Sequence, residues 1–286
     1  RNSYIIGKRF RIVHIFFDHR IFEVTTFRSF AEGKTVGNTF GTIEEDSKRR
    51  DFTLNALYYD PEKNQIIDYV GGFKDIQAKK IVPVIPLKQI FVEDPVRMLR
   101  AVKYAASSGF KIPFLLRLKI TSSAHLLSPV SPSRLTEELL KIINSGQAYE
   151  IVSSAIPLRL FMYLQPAASA LLAEKEGFCA AYMQSLKALD ELHHRDPAAR
   201  LGGDKLVYLI RDFIKLLANW ELEAAAKTSA AELYKFAWKE CRSFVLPMNP
   251  QRSELEYAVR FCLKEFGISV RPPKKKKKPQ QRTAAV

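Results

Sequence analysis

Apolar residues run together or alternate through roughly the first 85 positions and then recur at three- and four-residue intervals, which predicts a strand-rich unit followed by a helical one. FRIVHIFF at 10–17 has the β-branched and aromatic content of a strand, and IFEVTTF at 21–27 supplies a second. The short polar break Asp18-His19-Arg20 between them predicts a hairpin. Residues 29–41 carry three glycines with little periodicity and read as a mobile surface loop. FTLNALYY at 52–59 and QIIDYV at 65–70 predict another strand pair, joined through Pro61-Glu62-Lys63-Asn64 and closed by Gly71-Gly72.

Beyond about residue 86 the period becomes helical. Asp94 is placed to cap a helix whose first residue is Pro95, where a missing amide proton costs nothing, and Gly109 is placed to stop it. The predicted apolar stripe is Val96, Leu99, Val102 and Ala106, with Arg97, Arg100, Lys103 and Tyr104 on other faces. Ser131-Pro132 opens a further helix, RLTEELLKIINS, ending near Gly146. Helical patterning then continues to about residue 270, with breaks near Pro166, Asp196-Pro197, Gly202-Gly203 and Pro247 to Pro250. The expectation is an α+β protein with a head over 1–85, a helical neck over 86–146, a helical body over 147–270 and a tail over 271–286. The tail holds seven basic and no acidic residues, three prolines and no apolar cluster, so it is expected to be a disordered basic extension.

The tail is the extreme of a general excess. Lys and Arg number 45 against 30 Asp and Glu, a net charge of +15 that suits a polyanionic partner, with nucleic acid ahead of an anionic membrane surface. No apolar run approaches the roughly 20 residues that span a bilayer, and the opening Arg1-Asn2-Ser3-Tyr4 has no signal-peptide pattern. Cys179, Cys241 and Cys262 are odd in number and far apart, without the spacing that holds zinc, and read as reduced core residues of a cytoplasmic protein.

Two charged blocks carry the candidate chemistry. The first runs from Ile43 to Leu57 and sets Arg49, Arg50 and Asp51 at the entrance to a buried strand. Arg49 and Arg50 suit bidentate bonds to phosphate oxygens, and Asp51 and Asn55 suit a ribose hydroxyl; a salt-bridged strand end is the alternative. The second block is Glu93 to Arg100, in which Asp94 and Arg97 are three apart and share a helix face. Together they offer an acceptor and a fork of donors to the edge of one base, or else form an N-cap and an ordinary ion pair.

In this order and about forty residues apart, the blocks resemble those of the class II tRNA nucleotidyltransferase and bacterial poly(A) polymerase family, marked by RRDFTxNAL followed by EDPxRxLRAxxxAA. Asp68-Tyr69-Val70-Gly71-Gly72 with Asp75 looks like the family's connection between them, and Ser133-Arg134-Leu135 running on to Lys141 looks like its next helix, so the likeness covers roughly residues 4–150. The resemblance implies a partial nucleotidyltransferase-like head with a mixed β-sheet, followed by a mostly helical neck and body. It also implies transfer of AMP from ATP to RNA 3′ ends, with pyrophosphate release helped by two metal ions, normally Mg²⁺. By the same analogy Asp94 and Arg97 would read the base, Arg50 and Asp51 would hold sugar and phosphates, and Arg100 would support the pocket. Residues 5–15 resemble a pattern of the poly(A) branch, where Lys8, Arg9 and Arg11 would contact RNA or phosphate unless they are only a basic strand edge. The run Lys274, Lys275, Lys276, Lys277 and Lys278 fits that branch and is a further expected RNA contact. His14 alternates with Phe10, Ile12 and Phe16 and is expected to be a packed histidine.

One departure qualifies the likeness. In the family a Gly-Gly-x-x-Arg-Asp turn and an Asp-x-Asp pair precede the stretch that Arg1 begins, and no Asp-x-Asp occurs in these residues. The chain by itself is therefore expected to transfer little or no nucleotide. Glu23 matches the family's third acidic position and is the expected catalytic and metal carboxylate, held amid apolar neighbours, where an anion is costly without a metal or cation. Its alternative is a solvent-facing place on an alternating strand. A CCA-adding enzyme would share the base-reading residues, and a non-catalytic RNA-binding protein would keep the fold without the chemistry.

Overall fold

Short connections between consecutive strands permit only antiparallel pairing, and the head is built that way. The computed structural model describes residues 2–6, 12–18, 20–31, 34–196, 202–221 and 229–270. Strands β1 (Asn2–Ile6), β2 (Ile12–Phe17) and β3 (Arg20–Val24) form one sheet in that order, with Tyr4 opposite His14 and His14 opposite Glu23. The expected hairpin is present, with a strand added in front of it. A second ladder, β4 (Arg28–Ala31) with β5 (Lys34–Phe40), occupies the stretch expected to be a mobile loop. That expectation is corrected: Thr35, Val36 and Thr39 give residues 34–40 strand preference that the glycines masked.

The second expected strand pair is shorter than its apolar run. After helix α1 (Ile43–Lys48), residues Thr53–Asn55 turn in a 3-10 helix, and only β6 (Tyr58–Asp60) and β7 (Gln65–Ile67) pair. Side chains hold the turn: Asn55 Oδ1 accepts the Phe52 N–H at 3.3 Å and the Thr53 hydroxyl donates to Asp75 Oδ2 at 2.8 Å. Asp75 sits on α2 (Gly72–Gln77), whose start is fixed by Asp68 accepting from the N–H groups of Val70, Gly72 and Phe73. Among the described residues the parallel contact is the isolated bridge Lys80–Lys111.

The helical part opens with α3 (Ile90–Glu93), α4 (Arg97–Ser108), α5 (Phe114–Ser123), α6 (Pro132–Ile143) and α7 (Ala148–Ala155). It continues with α8 (Phe161–Leu164), α9 (Pro166–Glu174), α10 (Glu176–Arg195), α11 (Gly203–Glu221), α12 (Ala230–Phe244) and α13 (Arg252–Glu265). Gly109 ends α4 in the left-handed conformation at φ 68°, as its position predicts. The start lies two residues later than expected: Asp94 Oδ1 accepts the Val96 N–H at 3.2 Å and so caps a lead-in turn before the first helical residue, Arg97. Val96, Leu99 and Val102 are buried as the stripe requires, and Met98 and Ala101 widen it. Ser131 caps α6 by accepting the Arg134 N–H.

Phe52, Ile81 and Ile85 belong to the same core as Phe91, Met98 and Leu99, so packing continues across residue 85 from head to neck. Farther along, Phe161, Tyr182, Leu206 and Val259 extend it through the body. Cys241 and Cys262 are buried free thiols and Cys179 is half-buried; burial pushes the Cys262 thiol up to about 12, which keeps it protonated and inert. No described helix is long and apolar enough to cross a membrane. The tail over 271–286 lies outside the described residues.

Candidate active site

Helix α1 is set by a reciprocal cap in which Thr42 accepts the Glu45 N–H at 3.2 Å while Glu45 accepts the Thr42 N–H at 2.7 Å. That start fixes the rotation of a six-residue helix, and its far end delivers Arg49 and Arg50. Asp46 lies three and four residues before them, on the same side of the turn. Its Oδ1 accepts from Arg49 Nε at 2.8 Å, Arg49 Nη2 at 2.5 Å and the Arg28 backbone N–H at 3.1 Å. Its Oδ2 accepts from Arg50 Nε at 3.1 Å, Arg50 Nη2 at 2.8 Å and the Tyr58 hydroxyl at 2.5 Å. The Asp46 side chain is 2% exposed. Burial opposes its ionisation, but the hydrogen bonds from Tyr58, Arg49 and Arg50 prevail and hold its carboxyl down at about 2. For Arg50, burial favours loss of the proton, and Asp46 outweighs it, so its pKa is raised.

A second carboxylate repeats the arrangement one residue past the arginine pair. Asp51 Oδ1 accepts from Arg97 Nε at 2.8 Å and Oδ2 from Arg100 Nη1 at 2.7 Å, which ties the head to α4. Arg97 Nη1 also donates to Glu93 Oε2 at 2.8 Å and to the Ile90 carbonyl at 3.1 Å. Arg100 has its pKa raised, because Asp51 overcomes the effect of burial. Beyond it, Lys103 donates to the buried Glu138 on α6 at 3.1 Å.

Several expected partners are rearranged. Asp94 and Arg97 do not pair with each other: Arg97 turns to Asp51 and Glu93, while both Asp94 oxygens accept from Arg134 Nη2 on α6 at 3.0 Å. Helix α4 starts at Arg97, so Asp94 precedes the helix and the assumed i,i+3 face does not exist. Asn55 is turned to the Phe52 backbone. Glu23 is 66% exposed and its Oε1 accepts from His14 Nε2 at 2.9 Å, so the expected apolar surround is corrected: the described sheet leaves that face of β3 open. His14 is paired through its ring and not simply packed. Lys8, Arg9, Arg11 and Lys274, Lys275, Lys276, Lys277 and Lys278 lie outside the described residues.

The structure brings Glu23, Arg28, Asp46, Arg49, Arg50 and Tyr58 around one open cleft of about 540 Å³. Arg49 and Arg50 each spend Nε and Nη2 on Asp46, and their Nη1 groups make no hydrogen bond to the described residues. Two guanidiniums fixed by one carboxylate thus line the cleft. Among the described residues no three His, Cys, Asp or Glu side chains converge to hold a metal. Both Asp46 oxygens are committed, and the other carboxylate among the described residues lining the cleft, Glu23, has Oε1 paired with His14; this does not fit a two-metal centre. Asp46, Tyr58, Glu93 and Arg134 are the site residues that sequence reasoning passed over. The i,i+3 and i,i+4 spacing of Asp46 to the arginines was the available signal; the Arg134–Asp94 pair, 40 residues apart, had none.

Antiparallel head ladders, a helical neck and body, and an arginine cluster at the joint define an α+β protein with its charged site where head and neck meet. A family model described as "Poly A polymerase head domain" matches residues 1–82, and another, "Probable RNA and SrmB- binding site of polymerase A", matches residues 109–172. Poly(A) polymerase I of Escherichia coli O6:H1 is 40% identical over 181 residues, 58% of this chain and 39% of that protein. Poly(A) polymerase I of Haemophilus influenzae is 37% identical over 238 residues, 77% of this chain and 53% of that one. The chain thus spans about half or less of the length of these relatives. The Bacillus stearothermophilus CCA-adding enzyme solved in complex with CTP shares the fold, with a TM-score of 0.54 at 23% identity over 93% of this chain and 69% of its own. The chain belongs to the class II tRNA nucleotidyltransferase and bacterial poly(A) polymerase family.

Proposed function

We infer that this protein serves template-independent addition of AMP from ATP to RNA 3′ ends, with release of pyrophosphate, as a polynucleotide adenylyltransferase. The observation that carries the reading is the Arg49–Arg50 pair, clamped on one edge by Asp46 and open on the other, in a cleft shared with Glu23. Two fixed guanidiniums there neutralise charge on a triphosphate and on the departing pyrophosphate, and that stabilisation grows as the bond breaks. Asp51 keeps a lone pair on each oxygen after binding Arg97 and Arg100, enough to accept from a ribose hydroxyl. Arg97 and Asp94 are assigned to the base edge, which requires the Arg134–Asp94 pair to open or share its carboxylate. The family's metal chemistry is supplied by Mg²⁺, and the described carboxylates do not gather for it.

The excess of 15 positive charges supports an RNA substrate, and the identities of 37–40% to proteins named poly(A) polymerase I favour ATP over CTP. The test is extension of a short labelled RNA and of a tRNA lacking its 3′ CCA by the full-length gene product with Mg²⁺, each nucleoside triphosphate being supplied separately and CTP and ATP also together. Long tails with ATP alone, weakened by Arg50→Gln, are the expected result. Arrest after the sequence CCA on tRNA, with no tailing of other RNAs, would assign the protein to the CCA-adding branch instead.

A further inference from the structure

The geometry points to Asp46 as a positioning residue that holds the Nε–Nη2 edges of Arg49 and Arg50 so that their Nη1 groups are presented together to a triphosphate. The inference rests on the nucleotidyl-transfer reading. Asp46 touches no reacting atom in this scheme; it acts through the two arginines.

Three observations separate this role from an ordinary ion pair. First, one carboxylate receives both guanidiniums, each through two nitrogens, so a charge of minus one is set against plus two and the cluster stays cationic. A pair made only for stability is complete with one arginine, and an apolar group often serves a buried position as well. Second, the remaining acceptor sites are filled by groups from outside α1. Arg28 N–H comes from the first residue of β4, four residues after the end of β3, and the Tyr58 hydroxyl comes from β6. Asp46 therefore indexes the arginines against the ladder that follows the Glu23 strand and against β6, fixing both sides of the cleft relative to each other. Third, the Tyr58 ring also lies beneath the Arg50 guanidinium, 5.8 Å from its centroid, which restricts the plane of that group. Two long arginine side chains are thus ordered before any ligand arrives, and ordering done in advance is ordering the ligand need not induce.

The sign of the effect makes the idea testable. If Asp46 acted only through its charge, replacing it with a neutral residue would raise the positive potential of the cleft and tighten anion binding. Positioning requires the opposite. Binding of inorganic tripolyphosphate and of ATP to the full-length protein would be measured by calorimetry at several KCl concentrations, with thermal unfolding recorded alongside. For Asp46→Asn the expected result is a roughly tenfold weaker affinity for both probes in a protein that still unfolds cooperatively. In an Arg49→Gln/Arg50→Gln background the same change should matter less than about twofold, because the groups it positions are gone.

Should Asp46→Asn not fold, Asp46→Glu and Tyr58→Phe take its place, since both keep the charge while displacing or loosening the clamp; each should weaken binding at least about twofold. Equal or tighter tripolyphosphate binding in a folded Asp46→Asn overturns the inference, as do unchanged affinities in both substitutes. So does an equal loss in the two backgrounds, which would mean that Asp46 acts other than through the arginines. If the wild-type protein binds neither probe, the nucleotidyl-transfer reading falls and takes this inference with it; binding by the wild type that Asp46 variants leave intact sinks the inference alone.

Discussion

Replacing Asp51 with Asn should destabilise the protein by roughly 2–3 kcal/mol. Asp51 is the acceptor for Arg97 at 2.8 Å and Arg100 at 2.7 Å, and its side chain is 11% exposed. An Asn in the same place keeps one acceptor and turns an NH₂ group toward a guanidinium. Removing one partner of a buried charge pair costs about 3–5 kcal/mol when the other charge is left with nothing. The value is discounted here for two reasons: Arg97 retains Glu93 and the Ile90 carbonyl, and Arg100 is 30% exposed and recovers some hydration. Urea unfolding followed by far-ultraviolet circular dichroism measures the loss, and the thermal midpoint should fall by roughly 5–10 °C. Glu44→Gln, which breaks an exposed pair with Lys48, is the control and should change stability by about 0.5 kcal/mol or less. A cycle with Arg100→Gln should return a coupling of about 1–3 kcal/mol. If Asp51→Asn matches the Glu44→Gln control, the two arginines are as well accommodated without the carboxylate, and the proposed tie between head and α4 is wrong.

Glu138 has its pKa lowered, since burial raises it but Lys141 at 2.7 Å and Lys103 at 3.1 Å outweigh that effect. Its stabilisation is therefore complete above the unfolded value of about 4.3 and fades as pH falls through the lower folded value, so Glu138→Gln should flatten stability against pH in that acidic window; identical slopes would refute this. Arg134→Gln releases Asp94 from a half-exposed pair, and should change ATP preference over CTP in primer extension while moving stability by less than about 1 kcal/mol. Unaltered preference would show that the pair does not limit access to Asp94. Gly72→Ala should cost about 2 kcal/mol or more in urea, because its Cβ would stand 2.3 Å from the Thr53 carbonyl oxygen; Gly71→Ala, at φ 77° in open space, should cost about 1 kcal/mol. Equal losses for the two glycines would remove the steric argument.

The α4 stripe, its Gly109 stop and the Ser131 cap of α6 were legible because they depend on local spacing and local sterics. The same local reasoning failed where long-range partners decide. FTLNALYY has the composition of one strand, yet Thr53 is claimed by Asp75, 22 residues away, and the backbone turns there. Residues 34–40 pair with β4 despite Gly37, since cross-strand bonding was invisible in a composition count. At the site, the shared helix face expected of Asp94 and Arg97 is absent, and each has another partner within the protein. A period of three or four residues predicts Asp94 facing Arg97 only if a helix includes both, and α4 begins at Arg97. Asp46 carried no assignment in the sequence, though it stands three and four residues before Arg49 and Arg50, a spacing that counts once a capped helix forms there.

The two carboxylate hubs also explain why the charged blocks stand in this order. Asp46 binds locally, to the arginines three and four residues after it; Asp51 binds arginines more than 40 residues later. Between them lie only Arg49 and Arg50 and the turn of α1, so a displacement on either side is transmitted through a short, fully bonded segment and not through a flexible loop. Glu93, Asp94 and Arg134 continue the alternation of charge into the neck, where Lys103 and Glu138 join α4 to α6. Each arginine that meets a carboxylate gives up part of its hydration and rotamer freedom, most of all Arg97, whose side chain is 12% exposed. A polar network of this kind adds little net stability compared with apolar packing, but it permits few alternative arrangements of its members.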